Sequence, residues 1–346
     1  MENNVKRLSE LIGSAETIMV TSHISPDPDA LSSLLLIGTT LKLNFPGKNI
    51  RMVLEDEPHN LRFLKDYGQV KFTGVYEEFK KLQPNLLIIV DTNNYQRVSR
   101  RQGEKLRELI SIRKTPVAII DHHEPDNKDK SEVYINRYSP AASQEVYQTF
   151  YEDMGLSKPP SYAEAAMLGL YSDSGGFMYV RQNYADTFKI AKILIDDGAS
   201  IERINNLLHQ YTKDDMLTFS ELAANVQLEA DYAYSFLRDE FVDQWLTDGK
   251  TPESLHMATE LFINKYVRNI EGRKWGFIVY RNELYGPGVY SCSLRAVSDA
   301  KDVSRIAAKL HGGGHKPAAG GRIYADRLDE AISQAKAVIA GNHIGV

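Results

Sequence analysis

Two uninterrupted apolar runs, Leu86-Leu87-Ile88-Ile89-Val90 and Pro116-Val117-Ala118-Ile119-Ile120, constrain the fold more than any other feature of the chain. Neither alternates with polar residues, so each reads as a strand buried on both faces. Such strands belong to mostly parallel sheets covered by helices, which requires strand and helix to alternate along the chain. They do so through the first half. Thr17–Val20 reads as a strand, Asp29–Leu43 as the helix after it and Ile50–Leu54 as a second strand, with helical stretches at Ser143–Tyr151, Tyr162–Tyr171, Ala185–Asp196 and Ile201–Tyr211. The predicted fold class is α/β.

The 346 residues exceed what a single core organises, roughly 250–300 residues, so two domains are expected. The pattern changes after the helical segment 201–224, which is read as a connection between a domain at 1–200 and a smaller α/β domain at 225–346. Beyond it come shorter strands (Gln227–Phe236, Trp275–Tyr280, Val289–Leu294), a glycine-rich loop and a final helix at Leu328–Ile339. No apolar run approaches the ~20 residues of a membrane helix. The start, MENNVKRLSELIG, is polar and amphipathic, without the apolar core of a signal peptide. The single cysteine, Cys292, excludes a disulfide framework and a cysteine metal site. A cytoplasmic protein without a membrane partner is expected. The sequence leaves the oligomeric state open, a homodimer included.

The net charge of −5 argues against a protein that coats long nucleic acid. Between Leu261 and Arg322, however, eleven Lys/Arg face four Asp/Glu. An acidic front and a basic back suggest carboxylates holding cations in one half and cations holding phosphates in the other. A solvated basic surface accounts for the charge alone equally well.

Position sharpens this reading. Val20 leads into Thr21-Ser22-His23-Ile24-Ser25-Pro26-Asp27-Pro28-Asp29, Val90 is followed by Asp91, and Ile120 by Asp121-His122-His123. Ligands of open α/β sheets bind outside the carboxyl ends of the strands, so these side chains should converge on one crevice. Asp173 follows a helix in Tyr171-Ser172-Asp173-Ser174-Gly175-Gly176, where glycines permit a close backbone approach to a ligand. An Asp after a strand is more often a cap or turn residue, and adjacent histidines on a loop are usually surface groups. Convergence at several strand ends distinguishes this set. So many acids share a small site only if cations neutralise them. Oxygen-rich ligands with one or two imidazoles suit two Mn²⁺ ions, or Mg²⁺, better than structural Zn²⁺. Two such ions form a clamp for phosphoryl displacement.

These motifs resemble those of the DHH phosphoesterases that carry a C-terminal DHHA1 domain. The resemblance rests on His23-x-x-x-Asp27-x-Asp29-Ala30, Val90-Asp91-Thr92, Asp121-His122-His123 and Gly169-x-Tyr171-x-Asp173-x-Gly175. At the C-terminus it rests on Ser293-Leu294-Arg295 and Gly312-Gly313-Gly314-His315-Lys316-Pro317-Ala318-Ala319-Gly320-Gly321. It spans nearly the whole chain, and its size and architecture are similar to those of compact bacterial nanoRNase/pAp-phosphatase members. Pro28 departs from the family's usual Gly between the two acids. The resemblance implies one metal held by His23, Asp27 and Asp91, and a second by Asp29, Asp91, His122 and Asp173, with Asp91 bridging. It implies that Asp121 orients an imidazole and that His123 faces the substrate phosphate.

The glycine-rich segment has its own physical reading. Consecutive backbone N–H groups of Gly312, Gly313 and Gly314 can cradle an anion, with Arg295, His315 and Lys316 as charged donors. The expected activity is hydrolysis of short RNAs or small nucleotides, with 3′-phosphoadenosine 5′-phosphate (pAp) a further substrate. Cyclic di-AMP or linear dinucleotides are the alternative substrates. A nucleotide-binding regulatory module without chemistry is the alternative of another class.

Overall fold

The chain is described from a computed structural model that covers residues 1–58, 61–123, 131–178, 184–297 and 300–341. It divides into two compact units, residues 1–209 and 210–346. The segment expected to connect two domains is a pair of helices, one in each unit. Ile204 of helix Ile201–Leu208 is buried in the first core, and Phe219 and Leu222 of helix Lys213–Ala224 in a core of the second. The boundary therefore falls between these helices, because each has its own apolar stripe to bury.

The first unit carries a sheet of β1 (Thr17–Thr21), β2 (Asn49–Leu54), β3 (Val70–Phe72), β4 (Leu86–Val90), β5 (Val117–Ile120) and β6 (Val133–Ile135). All pairings are parallel, in the order β3-β2-β1-β4-β5-β6. β4 and β5 are buried along their whole length, as their continuous apolar runs require. Alternate residues divide between two cores. Ile18, Ile88 and Ile120 pack on one face with helix Pro28–Asn44, while Met19, Ile89 and Ile119 pack on the other with Phe79 and Leu106. Helix Pro28–Asn44 begins with Asp27 as its cap and Pro28 at the first position, where a fixed φ suits the helix start. The proline that departs from the family pattern thus strengthens the helix that presents Asp29.

The second unit carries β7 (Gln227–Leu228), β8 (Ala233–Phe236), β9 (Trp275–Arg281), β10 (Val289–Ala296), β11 (Gly313–His315) and β12 (Ala318–Tyr324), in the order β11-β12-β10-β9-β8-β7. The stretch read as one strand, Gln227–Phe236, is two strands paired antiparallel. The segment read as a glycine-rich loop is a hairpin: Gly313 pairs with Gly320 and His315 with Ala318. Its small side chains conceal an alternating strand that buries Ala319, Gly321 and Ile323. Helices Asp239–Thr247 and Pro252–Lys265 contribute to the core on one face of this sheet, and Ser304–Lys309 and Leu328–Ile339 to the core on the other. Among the described residues, no helix is long and apolar enough to cross a membrane.

Candidate metal centre and C-terminal cavity

β1 and β4 are neighbours although two strands and their crossovers separate them in sequence, so the strand order reverses between them. The crevice of a doubly wound sheet opens at such a reversal. The β1 loop brings His23 and Asp27 there, β4 brings Asp91, and β5 brings Asp121, His122 and His123. Asp173 arrives as the last residue of helix Tyr162–Asp173. Three sets place one potential ligand atom from each member within 4.8 Å of one another: His23/Asp27/Asp91, Asp29/His122/Asp173 and Asp91/His122/His123. His23 Nε2 lies 3.3 Å from Asp91 Oδ2 and 3.9 Å from Asp27 Oδ2. His122 Nε2 lies 3.3 Å from both Asp91 Oδ1 and Asp173 Oδ2.

Local backbone explains how the chain presents these groups. Asp91 has a left-handed φ of 61° and Ser25 one of 53°, conformations that persist at non-glycine residues only where surroundings enforce them. At Ser25 the enforcement is visible, since its N–H donates to Asp56 Oδ2 at 2.7 Å. Ile24 N–H donates to Arg97 O at 2.6 Å, tying the same loop to the segment after β4. Asp29 is fully buried and accepts from Ala142 N at 2.6 Å and Ser143 N at 3.0 Å, at the N-terminal end of helix Ala142–Tyr147. The helix containing Gly169 comes so close that a Cβ there would lie 2.3 Å from Asp29 Oδ1 and 2.5 Å from Ser143 Oγ. That glycine is what lets Asp29 and Asp173 share one place.

Asp121 is satisfied within the chain. Asn93 Nδ2 donates to its Oδ2 at 2.7 Å, while His122 N–H at 2.9 Å and His123 Nδ1 at 2.8 Å donate to its Oδ1. Since Asp121 thereby engages His123 Nδ1, that nitrogen is committed to orienting the ring although it lies near Asp91. Gly175 and Gly176 take left-handed φ values of 59° and 70° just beyond the helix. Their freedom is used by the turn that ends the helix, where Gly175 N–H donates to Ser172 O and Gly176 N–H to Tyr171 O.

The electrostatics of the cluster are unbalanced. Burial, then the charge of Asp91, pushes the Asp29 carboxyl up to about 7, and burial with the neighbouring acids raises Asp173 well above the carboxylate range. Burial alone would raise Asp91 and lower the histidines, but their mutual pairing prevails. Asp91 is held well below its usual range, and His23 and His122 are raised. Asp91 Oδ1 and His122 Nε2 are buried without a hydrogen-bond partner among the described residues. Buried polar atoms left facing one another amid competing acids are what a divalent cation would satisfy, so the donor set fits a metal.

The second unit has a cavity of about 460 Å³. Arg295, Gly312, Gly313 and Gly314 line it, together with Glu260, Tyr285, His311 and Arg322, which were absent from the sequence reading. Lys316 lies exposed in the hairpin turn and is not among the lining residues. The backbone of His315 belongs to β11, and its side chain lies outside the described structure. Arg295 is fixed on three sides: Nε donates to Asn264 Oδ1 at 2.6 Å, Nη2 to Glu260 Oε2 at 2.5 Å and Nη1 to Leu294 O at 2.9 Å.

Comparison with known proteins follows the same division. Residues 17–170 match the model of the DHH family N-terminal domain, and residues 238–341 that of the DHHA1 domain. The chain is 25% identical to the bifunctional oligoribonuclease and PAP phosphatase NrnA of Bacillus subtilis, over 92% of this chain and 93% of that protein. It is also 25% identical to the Mycoplasma pneumoniae protein of the same name, over 90% and 89%. Among solved structures, an exopolyphosphatase-related protein from Bacteroides fragilis superposes with a TM-score of 0.83, covering 99% of this chain and 96% of that one at 20% identity. This last likeness is one of fold.

Proposed function

We propose that this chain, which belongs to the DHH/DHHA1 phosphoesterase superfamily and is a phosphoester hydrolase, cleaves very short oligoribonucleotides to mononucleotides in the cytoplasm and removes the 3′-phosphate of pAp. The observation that carries the reading is the cluster at the β1/β4 reversal, with Asp91 Oδ1 and His122 Nε2, buried without a hydrogen-bond partner among the described residues, at its centre. The bifunctional names of the two relatives, matched along nearly their whole length, point to the substrate class.

Two Mn²⁺ ions are the proposed cofactors, with Mg²⁺ the alternative. His23, Asp27 and Asp91 would hold one, and Asp29, Asp91, His122 and Asp173 the other. Bound there, such ions supply an activated water and stabilise charge on the phosphoryl oxygens. The protein's own part is positioning and proton control. Asp121 accepts from His123 Nδ1, which fixes the tautomer and leaves Nε2 as the basic nitrogen of the neutral ring. In this reading Nε2 acts once it has taken up a proton: as imidazolium, His123 donates from Nε2–H to the substrate phosphate or passes that proton to the leaving oxygen. Arg295, the Gly312–Gly314 backbone and the donors expected at His315 and Lys316 hold the part of the substrate that does not react.

One product-resolved assay with Mn²⁺ tests this: pAp, RNAs of two to twenty-four nucleotides, and linear and cyclic dinucleotides. Turnover should peak at two to five nucleotides and fall sharply for longer strands, with a shallow salt dependence that reflects few phosphate contacts. Equal rates on a trinucleotide and a twenty-four-nucleotide RNA would mean a general exonuclease. Activity confined to cyclic dinucleotides would replace the substrate, and a chain that leaves the whole panel intact would overturn the reading.

A further inference from the structure

The cavity of the second unit lies on one face of its sheet. Alternation along β10 and β12 turns Ser291, Ser293 and Arg295 to that face, and beside them Ala318, Gly320 and Arg322. Helix Pro252–Lys265 supplies His256 and Glu260 to the lining. The charge there is small. Arg295 is matched by Glu260, so among the described lining residues Arg322 is the cation without an ion pair. A ligand of several phosphates would leave most of its charge unmet in this cavity.

Arg322 spends its guanidinium differently. It lies over the ring of Tyr285, 4.1 Å from the centroid, although Tyr285 is 47% exposed and fills no core. A flat guanidinium against an open aromatic ring at the edge of a cavity is a surface on which another flat ring stacks. The neighbouring backbone supports the same occupant. Gly312 and Gly321 are demanded by the fold, because a Cβ would lie 2.0 Å from Gly320 O and 2.6 Å from Leu310 Cβ. Gly313 and Gly320 are not. Neither has a left-handed φ, and among the described residues a Cβ at Gly313 would meet nothing within 4 Å and one at Gly320 only Cys292 O at 3.9 Å. Glycine weakens a strand, yet these two cross-strand partners are bare where they line the cavity. Among the described residues, packing makes no use of the space they leave.

We infer that Tyr285 and Arg322 form a nucleobase-stacking subsite, so that the cavity takes a single nucleotide unit with its base on this pair. The inference rests on the proposed nucleotide hydrolysis for its ligand class and adds the residues that recognise the base. Every base presents a π-face, so such a subsite accepts short RNA irrespective of sequence.

Titration calorimetry on the full chain in EDTA, which silences the metal centre, tests the subsite with AMP and ribose 5-phosphate, which differ by the base alone. AMP should bind at least ~10-fold more tightly, the scale of one base–aromatic stack. Tyr285→Leu and Arg322→Gln should each erase most of that difference, while Tyr285→Phe keeps it. Gly313→Ala should weaken AMP binding without lowering Tm. Equal affinities in the wild-type chain, or a difference that survives Tyr285→Leu, would overturn the inference. Hydrolysis is assayed separately with Mn²⁺. Stacking without hydrolysis would sink the proposed activity and leave the subsite standing, and hydrolysis without stacking would do the reverse.

Discussion

The two units handle charge in opposite ways. In the first, groups up to 150 positions apart, from His23 to Asp173, are forced together at strand ends and a helix end, largely buried and partly on strained backbone. In the second, the cavity-facing residues of β10 and β12 stand two apart, on a sheet face whose principal cation is already neutralised. A strand end concentrates charge at a point and leaves it unsatisfied, which suits holding ions and breaking a bond. A sheet face spreads small residues and flat side chains over an area, which suits holding a ring. The comparison predicts that changes in the first unit act on turnover and metal, and changes in the second on affinity.

The largest effect should come from Asp91→Asn. Asparagine tolerates the left-handed φ that Asp91 adopts, so the fold should survive while the charge shared by both proposed metal sets is lost. Turnover should fall by at least ~100-fold, with lower Mn²⁺ content after dialysis. Near-native turnover with metal bound would dissolve the distinction between the units.

Next in size is a packing change. A methyl group at Gly169 meets Asp29 Oδ1 and Ser143 Oγ well inside contact distance. Gly169→Ala should therefore cost about 1–3 kcal/mol of stability and weaken metal binding. Denaturant titration against Gly313→Ala, where a methyl meets nothing among the described residues, provides the control; equal stability of the two variants would refute the role given to Gly169.

The buried charges also make a prediction for pH. In metal-free protein Asp29 holds its proton up to about 7 and Asp173 is raised in the same direction, so the fold binds protons that the unfolded chain has released. Stability from these acids must fall as pH rises from the ordinary carboxylate range toward 7. His23 and His122, raised above their ordinary value, contribute stability below about 6.5 and lose it as pH climbs through their folded values, which is the same direction. Asp91 acts oppositely, but only below the ordinary carboxylate range. The Tm of metal-free protein should thus decline between about pH 5 and pH 8, and saturating Mn²⁺ should flatten or reverse the slope, because ligands bind the ion deprotonated. Scanning fluorimetry with EDTA and with Mn²⁺ reads both curves, and a metal-free Tm that rises through this window would contradict the electrostatics.

The same contrast explains what could be read from the sequence. β1, β4 and β5 were legible because burial on both faces writes itself as an apolar run, and the acids and histidines were legible because they follow those runs. β3 and β6, three residues each, are too short to leave a pattern. The expected site residues of the first unit do assemble, but the contacts that place them came from elsewhere: Asn93 on Asp121, Asp56 on Ser25, Gly169 against Asp29. In the second unit, helix Pro252–Lys265 had a visible start in Thr251-Pro252, whose threonine caps it. Tyr285 and Arg322 had none, because their meeting depends on strand register and on a short turn at Glu283–Tyr285. Lys316 drew attention as a cation in a glycine-rich segment, yet the hairpin carries it into the turn.

The smallest effects concern the support of Arg295, and there the sign is more informative than the size. Asn264 and Glu260 hold the same guanidinium, one through a neutral acceptor and one through a carboxylate that also cancels its charge. Asn264→Ala removes a strut and leaves the cancellation, so the guanidinium loses orientation and KM for a dinucleotide should rise by roughly 3- to 10-fold, about one neutral hydrogen bond, with kcat little changed. Glu260→Gln keeps one acceptor oxygen, which takes the Arg295 Nη2 bond while the amide NH2 donates to Ser293 Oγ, but it releases the positive charge. KM should then fall by a factor of a few, and the salt dependence of binding should steepen because one more cation faces the phosphate. If the cavity binds by charge alone, Asn264→Ala should do nothing. If it binds by shape alone, Glu260→Gln should do nothing. Opposite shifts in KM, measured side by side at low and moderate salt, would show a face that holds its ligand by an oriented but largely neutralised arginine, unlike the unsatisfied charges at the strand ends of the first unit.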